Sequence, residues 1–246
     1  MSNTNKEMAY EALVNQRKNC TMCDPAQCEL INPSQAQNGR FDTNEIGHWT
    51  EWQGSLDAKM MVVGQDWGDI NTLVKQEGVS NVDNSSTNRA LIQLLNIAGV
   101  DINESTAKNK HADLFFTNAI LCMKTEGGLA GKVRGSWFRN CVSSFLKPLI
   151  EEIIQPKVVV TLGEKATKSL LREYGYKGVN FKELVERESP IIVGRNTAVF
   201  PVFHCGSLGR RNRPFEQQKA DWLRIKAYLE QTDEERMPDL ITVTDQ

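Results

Sequence analysis

The 246-residue chain has no excess of positive charge: 29 Lys and Arg stand against 31 Asp and Glu, a net charge of -2. That excludes the strongly basic balance which by itself indicates nucleic acid, so any such contact must be local. No apolar run is long enough to span a bilayer. Met1 to Lys6 is polar with no hydrophobic region behind it, which speaks against an ordinary secretory signal and predicts a soluble, cytoplasmic protein. There is no low-complexity linker and no internal repeat, so one domain is expected over residues 1–230, followed by an acidic, mobile tail over 231–246. Neither a Gly-x-x-x-x-Gly-Lys-Ser/Thr loop nor a Gly-x-Gly-x-x-Gly fingerprint follows the first apolar run. Their absence counts against a small-molecule or nucleotide-binding α/β protein, which stays as an alternative.

What is present is a set of four short apolar runs, each leading into polar, reactive residues. They are Met60 to Val63 before Gly64-Gln65-Asp66-Trp67-Gly68-Asp69, Leu114 to Phe116 before Thr117-Asn118, Val158 to Leu162 before Gly163-Glu164, and Val199 to Phe203 before His204-Cys205-Gly206-Ser207. Such runs read as buried parallel strands. Helical stripes lie between them, at Asn88 to Ala98, Trp137 to Ile154, Glu164 to Tyr174 and Glu216 to Leu229, with Pro156 stopping the second. The pattern predicts an α/β fold, a single-domain three-layer α/β/α sandwich around a four-stranded parallel sheet. Ligands of such sheets bind beyond the carboxyl ends of the strands. Asp66, Asn118 and His204 are delivered there together.

Six cysteines in a reducing compartment read as metal ligands or free thiols before disulfides. Cys20 and Cys23 form a C-x-x-C pair, Cys122 follows the second strand, and Cys141 lies on the helix after it. Four thiolates from one loop pair and two distant positions suit a [4Fe–4S] cluster or a structural zinc. Without the C-x-x-C, Cys122 and Cys141 would read as buried thiols. Cys28 is a spare or alternative ligand, and Cys205 a plain thiol near His204.

In their order along the chain, Cys20-Thr21-Met22-Cys23, Thr117-Asn118-Ala119-Ile120-Leu121-Cys122, Cys141, Thr161-Leu162-Gly163 and His204-Cys205-Gly206-Ser207-Leu208 resemble the uracil-DNA glycosylase superfamily, and most closely its iron–sulfur branch. The similarity covers roughly Cys20 to Ile225. It implies a monomeric base-excision repair enzyme that hydrolyses the bond between uracil and deoxyribose in DNA, with other deaminated bases open. The first motif departs from that branch, which usually carries Gly-Glu-Ala-Pro-Gly. Gly64-Gln65-Asp66-Trp67-Gly68 instead looks like the Gly-Gln-Asp-Pro-Tyr of the cluster-free enzymes, and Asp66 falls where they keep a catalytic aspartate.

Departure of the base builds positive charge on the sugar, which a fixed carboxylate at Asp66 would stabilise while orienting the attacking water. The Asn118 amide offers one donor and one acceptor, enough to pair with O4 and N3–H of uracil and oppose cytosine. His204 would donate to O2 of the leaving base, and Gln65 would hold the base edge through its backbone amide. Read singly, Asp66 and Asn118 are turn formers and His204 a strand-end histidine bonded to backbone. Leu208 stands where the resembling family places an apolar plug for the gap left by a flipped base. Arg210, Arg211 and Arg213 behind it, with Lys132 and Arg134 in a loop between Cys122 and Cys141, would meet phosphates.

Two features fit the resemblance less well. Related enzymes stack an aromatic ring on uracil from the segment after the first motif, but no Phe, Tyr or Trp lies between Trp67 and Phe115. That leaves Trp67, or a different grip on the base. Gly68 occupies the place of a methyl-excluding tyrosine in the cluster-free enzymes, so tolerance of 5-substituted uracils stays open. The alternative within this fold is a catalytically silent iron–sulfur or zinc protein that binds DNA.

Overall fold

The five residues Val158–Leu162 are all apolar or β-branched and all buried. A strand of this kind is stable only when covered on both faces, and the computed structural model places it at the centre of a sheet. The structure describes residues 3–23, 29–47, 54–78, 85–102, 113–127 and 131–234. Cys28 and residues 235–246 lie outside the described residues; the first four residues of the tail expected over 231–246 belong instead to the last helix, which runs to Glu234.

The elements run in chain order as α1 (Asn3–Lys18), β1 (Leu30–Ile31), β2 (Met60–Gly64), α2 (Ile70–Lys75), α3 (Ser86–Ile97), β3 (Leu114–Asn118) and β4 (Met123–Lys124). Next comes α4, which begins as Gly135–Cys141 and continues through π-helical turns at Val142–Leu146 and Leu149–Ile153. Pro148 sits within it and has no N–H for the helical ladder, which accounts for the widened turns around it. The chain closes with β5 (Val158–Leu162), α5 (Glu164–Glu173), α6 (Phe181–Glu186), β6 (Ile191–Val193), β7 (Thr197–Val202), α7 (Ser207–Asn212) and α8 (Phe215–Glu234).

Five strands form the main sheet in the order β3-β2-β5-β7-β6. Four of them pair in parallel and are the four expected from the sequence. The fifth, β6, is an added antiparallel edge that hairpins onto β7. Alternate residues divide between two cores, as strand geometry requires. Met61, Val63, Phe115, Val159 and Val199 face one cluster with α1, α4 and α5. Met60, Val62, Leu114, Phe116, Val158, Val160 and Phe200 face the other, with α3 and α8.

The strand order fixes where a ligand can sit. From β2 the chain moves outward to β3, whereas from β5 it moves the opposite way to β7. Connections therefore diverge beyond the carboxyl ends of β2 and β5, and a crevice opens there. Among the described residues no helix is long and apolar enough to cross a membrane.

The edge strand supplies a test of register. Ile191 and Val193 are buried while Ile192 between them is 46% exposed. Ile192→Lys should leave urea stability within about 0.5 kcal/mol, whereas Ile191→Ala should cost about 2 kcal/mol or more. The reverse ranking would mean that the strand is flipped.

Candidate active site

The four strand ends do bring the expected polar residues together. Gly64 pairs in register with Asn118, and the pairing continues past both strands. The amides of Ala119 and Ile120 donate to the carbonyls of Gly64 and Gln65 at 2.9 and 3.0 Å, and the Lys124 amide donates to the Gly68 carbonyl at 3.0 Å. The Gln65-Asp66-Trp67-Gly68-Asp69 turn is thus zipped to the segment 119–124. A Cβ at Gly64 would lie 2.1 Å from Asn118 Oδ1, so any larger residue there would displace the Asn118 amide. Asp69 caps α2 by accepting from the Thr72 amide.

Asp66 is held from three directions. Its Oδ1 accepts from the Gly68 amide at 2.8 Å, its Oδ2 accepts from Gln65 Nε2 at 2.6 Å, and Lys124 Nζ lies 3.2 Å from Oδ1. The side chains of Lys124 and Asp66 are only 2% and 5% exposed. Lys124 Nζ also lies 3.5 Å from the Gly131 carbonyl. The sequence reading missed this lysine, since a lone Lys in a polar loop reads as surface. A faint signal was available in its place two residues after Cys122, within the short strand that pairs with β1.

His204 follows β7 and carries its own constraint. The Gly206 amide donates to His204 Nδ1 at 3.0 Å, so Nδ1 is an acceptor and the neutral ring keeps its proton on Nε2. Surrounding protein lowers the His204 pKa through desolvation, and the Asp66 carboxylate opposes that by raising it. The result at neutral pH is an uncharged imidazole with Nε2–H as its donor. Gly209 is also obligatory, because a Cβ there would fall 1.7 Å from the His204 carbonyl oxygen. The backbone thereby sets where the first turn of α7 stands relative to His204.

Leu208, on that turn, is 68% exposed, and Arg211 is exposed beside it. Arg210 is partly exposed. Arg213 points elsewhere: its Nε and Nη2 donate to Asp221 at 2.6 and 2.7 Å, and Asp221 is 2% exposed. This forked pair ties α7 to α8, so the expectation of a phosphate-binding Arg213 is not carried forward. Trp67 is 5% exposed and packs edge-to-face on Phe116, with centroids 6.1 Å apart. Phe116 Cζ comes 3.9 Å from the point a Gly64 Cβ would occupy, next to the Asn118 amide. An aromatic ring, 6% exposed, therefore lies beside the Asn118 amide, within a strand that sequence assigned wholly to the core. Lys132 and Arg134 are exposed, with Arg134 3.5 Å from Glu29 and lying over the Trp137 ring.

Cys20, Cys23, Cys122 and Cys141 line one small cavity, together with Arg17, Asn32 and Asn140. Asn140 Nδ2 lies 3.4 Å from Cys23 Sγ. Burial pushes the Cys141 thiol up to about 12 and raises Cys122 well above its ordinary value, while the Arg17 charge lowers Cys122. Arg17 is 1% exposed, and its Nε has no hydrogen-bond partner among the described residues. Among those residues no group of three or more His, Cys, Asp or Glu is gathered as a ligand set for a single metal ion. Cys205 is a buried thiol 3.5 Å from the Thr87 carbonyl.

A family model for the uracil DNA glycosylase superfamily matches residues 51–229, and the chain belongs to that superfamily. Membership implies a DNA glycosylase-type function acting on DNA. The matched span begins after Cys20 and Cys23, and it does not assign a branch. Comparison with curated proteins gave no match.

Two measurements check the site. Lys124→Met should cost about 3–5 kcal/mol, because it leaves a buried carboxylate unpaired, and the double variant Asp66→Asn/Lys124→Met should recover at least about 1 kcal/mol of the summed single losses. Additive losses in urea denaturation would show that the pair is not coupled. In NMR titrations the His204 midpoint should lie below 6.5, its ordinary value, and should fall further in Asp66→Asn, where the opposing charge is gone. His204 is exposed at its surface, so a wild-type midpoint at or above 6.5 would show that the surrounding protein does not desolvate the ring.

Proposed function

We propose that the protein is a uracil-DNA glycosylase that hydrolyses the N-glycosidic bond of uracil in DNA and leaves an abasic site. The observation that carries this reading is the delivery of three groups to neighbouring ends of one parallel sheet: the anchored Asp66 carboxylate, the Asn118 amide beside its turn, and the His204 ring, which feels the Asp66 charge and keeps its proton on Nε2. Each supplies a different part of the reaction. Asp66 is a fixed negative charge against the cationic sugar and an acceptor for the attacking water. Asn118 reads the base edge with one donor and one acceptor. His204 Nε2–H donates to O2 as charge accumulates on the departing base, and a neutral ring suffices for that. The Gln65 backbone amide holds the base edge, while its side chain steadies Asp66. Phe116 offers the aromatic surface that the segment after Trp67 lacks, with Trp67 packed against it.

The target base must leave the stack to reach this crevice. Exposed Leu208 fills the vacated gap, and Arg210 and Arg211 meet the flanking phosphates. Lys132 and Arg134 make a second contact on the loop before α4.

Cys20, Cys23, Cys122 and Cys141 would hold the metal centre of the iron–sulfur branch, a [4Fe–4S] cluster, with structural zinc as the alternative for the same sulfurs. What supports this reading is that the four sulfurs line one cavity, with a buried Arg17 N–H unused and an amide beside Cys23 Sγ; among the described residues they are not drawn together around a single ion, which favours the larger cluster over zinc. When bound, such a group supplies covalent ties between the N-terminal segment, the loop after β3 and α4. Cys122 is two residues from Lys124, so those ties would bear on the anchor of Asp66.

A labelled oligonucleotide with one uracil, followed by alkali, tests the reading in single-stranded and duplex form. Wild type should cleave it, and Asp66→Asn/Lys124→Met, in which no buried charge is stranded, should lose at least about a hundredfold. DNA binding without cleavage would replace the enzyme by a silent binder. Cys122→Ser should lose the metal and the visible absorbance of an iron–sulfur cluster; a colourless wild type carrying zinc would decide for the alternative.

A further inference from the structure

Helix α5 buries Ala166, Thr167, Leu170 and Leu171, and presents Lys165, Lys168 and Arg172 outward. Their i, i+3, i+7 spacing puts the three cations on one stripe. Arg139 from α4 and Lys177 from the turn beyond α5 join them around an open groove of about 790 Å³. Five cations and a single carboxylate, Glu164, line this groove in a chain whose net charge is -2. Glu164 is paired with Lys168 at 2.6 Å. Among the described residues, Arg139, Lys165, Arg172 and Lys177 have no ion-pair partner.

A cationic helix face is ordinarily just solvated surface. Two observations distinguish this one. The surface is concave, and it carries an aromatic ring, Tyr176, which is 41% exposed over a lining that includes Phe138 and Val179. A basic groove with an exposed aromatic is the arrangement that binds single-stranded nucleic acid, the cations tracking phosphates and the ring stacking on a base. Its position relative to the active site is also fixed. Glu164 directly follows Gly163, whose Cβ, were there one, would sit 3.5 Å from His204 Cβ. The groove starts beside the His204 wall and runs along α5, whose ten residues span about 15 Å.

We propose that the α4–α5 groove binds the single strand flanking the target nucleotide, with Lys165, Arg172, Arg139 and Lys177 on its phosphates and Tyr176 stacked on one of its bases. This rests on the glycosylase reading for the identity of the strand, but its test does not. Fluorescence anisotropy with uracil-free oligothymidylates of about four and about sixteen nucleotides, the range of single-strand site sizes, separates the groove from the crevice.

Wild type should bind the longer strand more tightly. Arg172→Glu/Lys177→Glu and Tyr176→Ala should each lose about tenfold of that affinity, with Tyr176→Phe restoring it, while excision from a short uracil oligonucleotide stays unchanged. The salt dependence of the charge-reversal variant should also be shallower. Wild-type affinity of the variants for the longer strand would overturn the proposal. An equal loss on duplex DNA would overturn it too, since that marks a general charge effect. Because no uracil is present, groove binding can succeed where excision fails, and the converse.

Discussion

The buried contact between Asp66 and Lys124 is the constraint on which the rest of the site depends. A carboxylate at 5% exposure has lost most of its water, and its attraction to a cation 3.2 Å away compensates part of that loss. Such pairs contribute little net stability, because both partners must be desolvated. Their value lies in geometry: the carboxylate is held in place and directed before a ligand arrives. The Gly68 amide bonds one oxygen of Asp66 and the Gln65 side chain the other, so the carboxylate cannot turn away without breaking several bonds at once, and acceptor capacity is left for a water.

This pair also joins two parts of the chain that are far apart in sequence. Lys124 belongs to a two-residue strand whose partner, β1, follows the Cys20–Cys23 segment, and Cys122 lies just before it. The cysteine cavity and the reaction crevice are therefore neighbours through backbone. Parallel register does the remaining alignment, since Gly64 opposite Asn118 fixes the amide next to the Asp66 turn. Gly209 then lets α7 fold tightly against the His204 carbonyl. Each of the three proposed groups rests on backbone hydrogen bonds, which is how a site becomes preorganised at loop positions.

Much of this could be read from the amino-acid order. The strands β2, β3, β5 and β7 were legible because strands buried on both faces must be apolar at every position. The Asp66, Asn118 and His204 assembly was legible because strand ends of a parallel sheet converge. The edge strand β6 was not, since its three residues Ile191 to Val193 are too short a run to register. Helix α1 was missed because its polar sequence hides the buried Tyr10, Leu13 and Val14. Two charged residues had surroundings that the amino-acid order does not show. Arg213 lies in a basic run that reads as surface but folds inward to Asp221, and Lys124 reads as solvated but is buried against Asp66. The folded position of the partner decides such cases, Asp221 on the next helix for Arg213 and the Asp66 turn for Lys124, and composition does not contain it. Phe116 escaped notice for the converse reason, as a strand aromatic is expected to serve only the core.

The most direct test of this arrangement is the single-turnover rate of uracil release by Lys124→Arg and Lys124→Met, each measured well below its melting transition. If Lys124 anchors the catalytic carboxylate, the folded Met variant should be slowed at least about tenfold and the Arg variant, which keeps the charge, should retain most of the rate. A folded Lys124→Met protein that releases uracil as fast as wild type would contradict the role given to the pair.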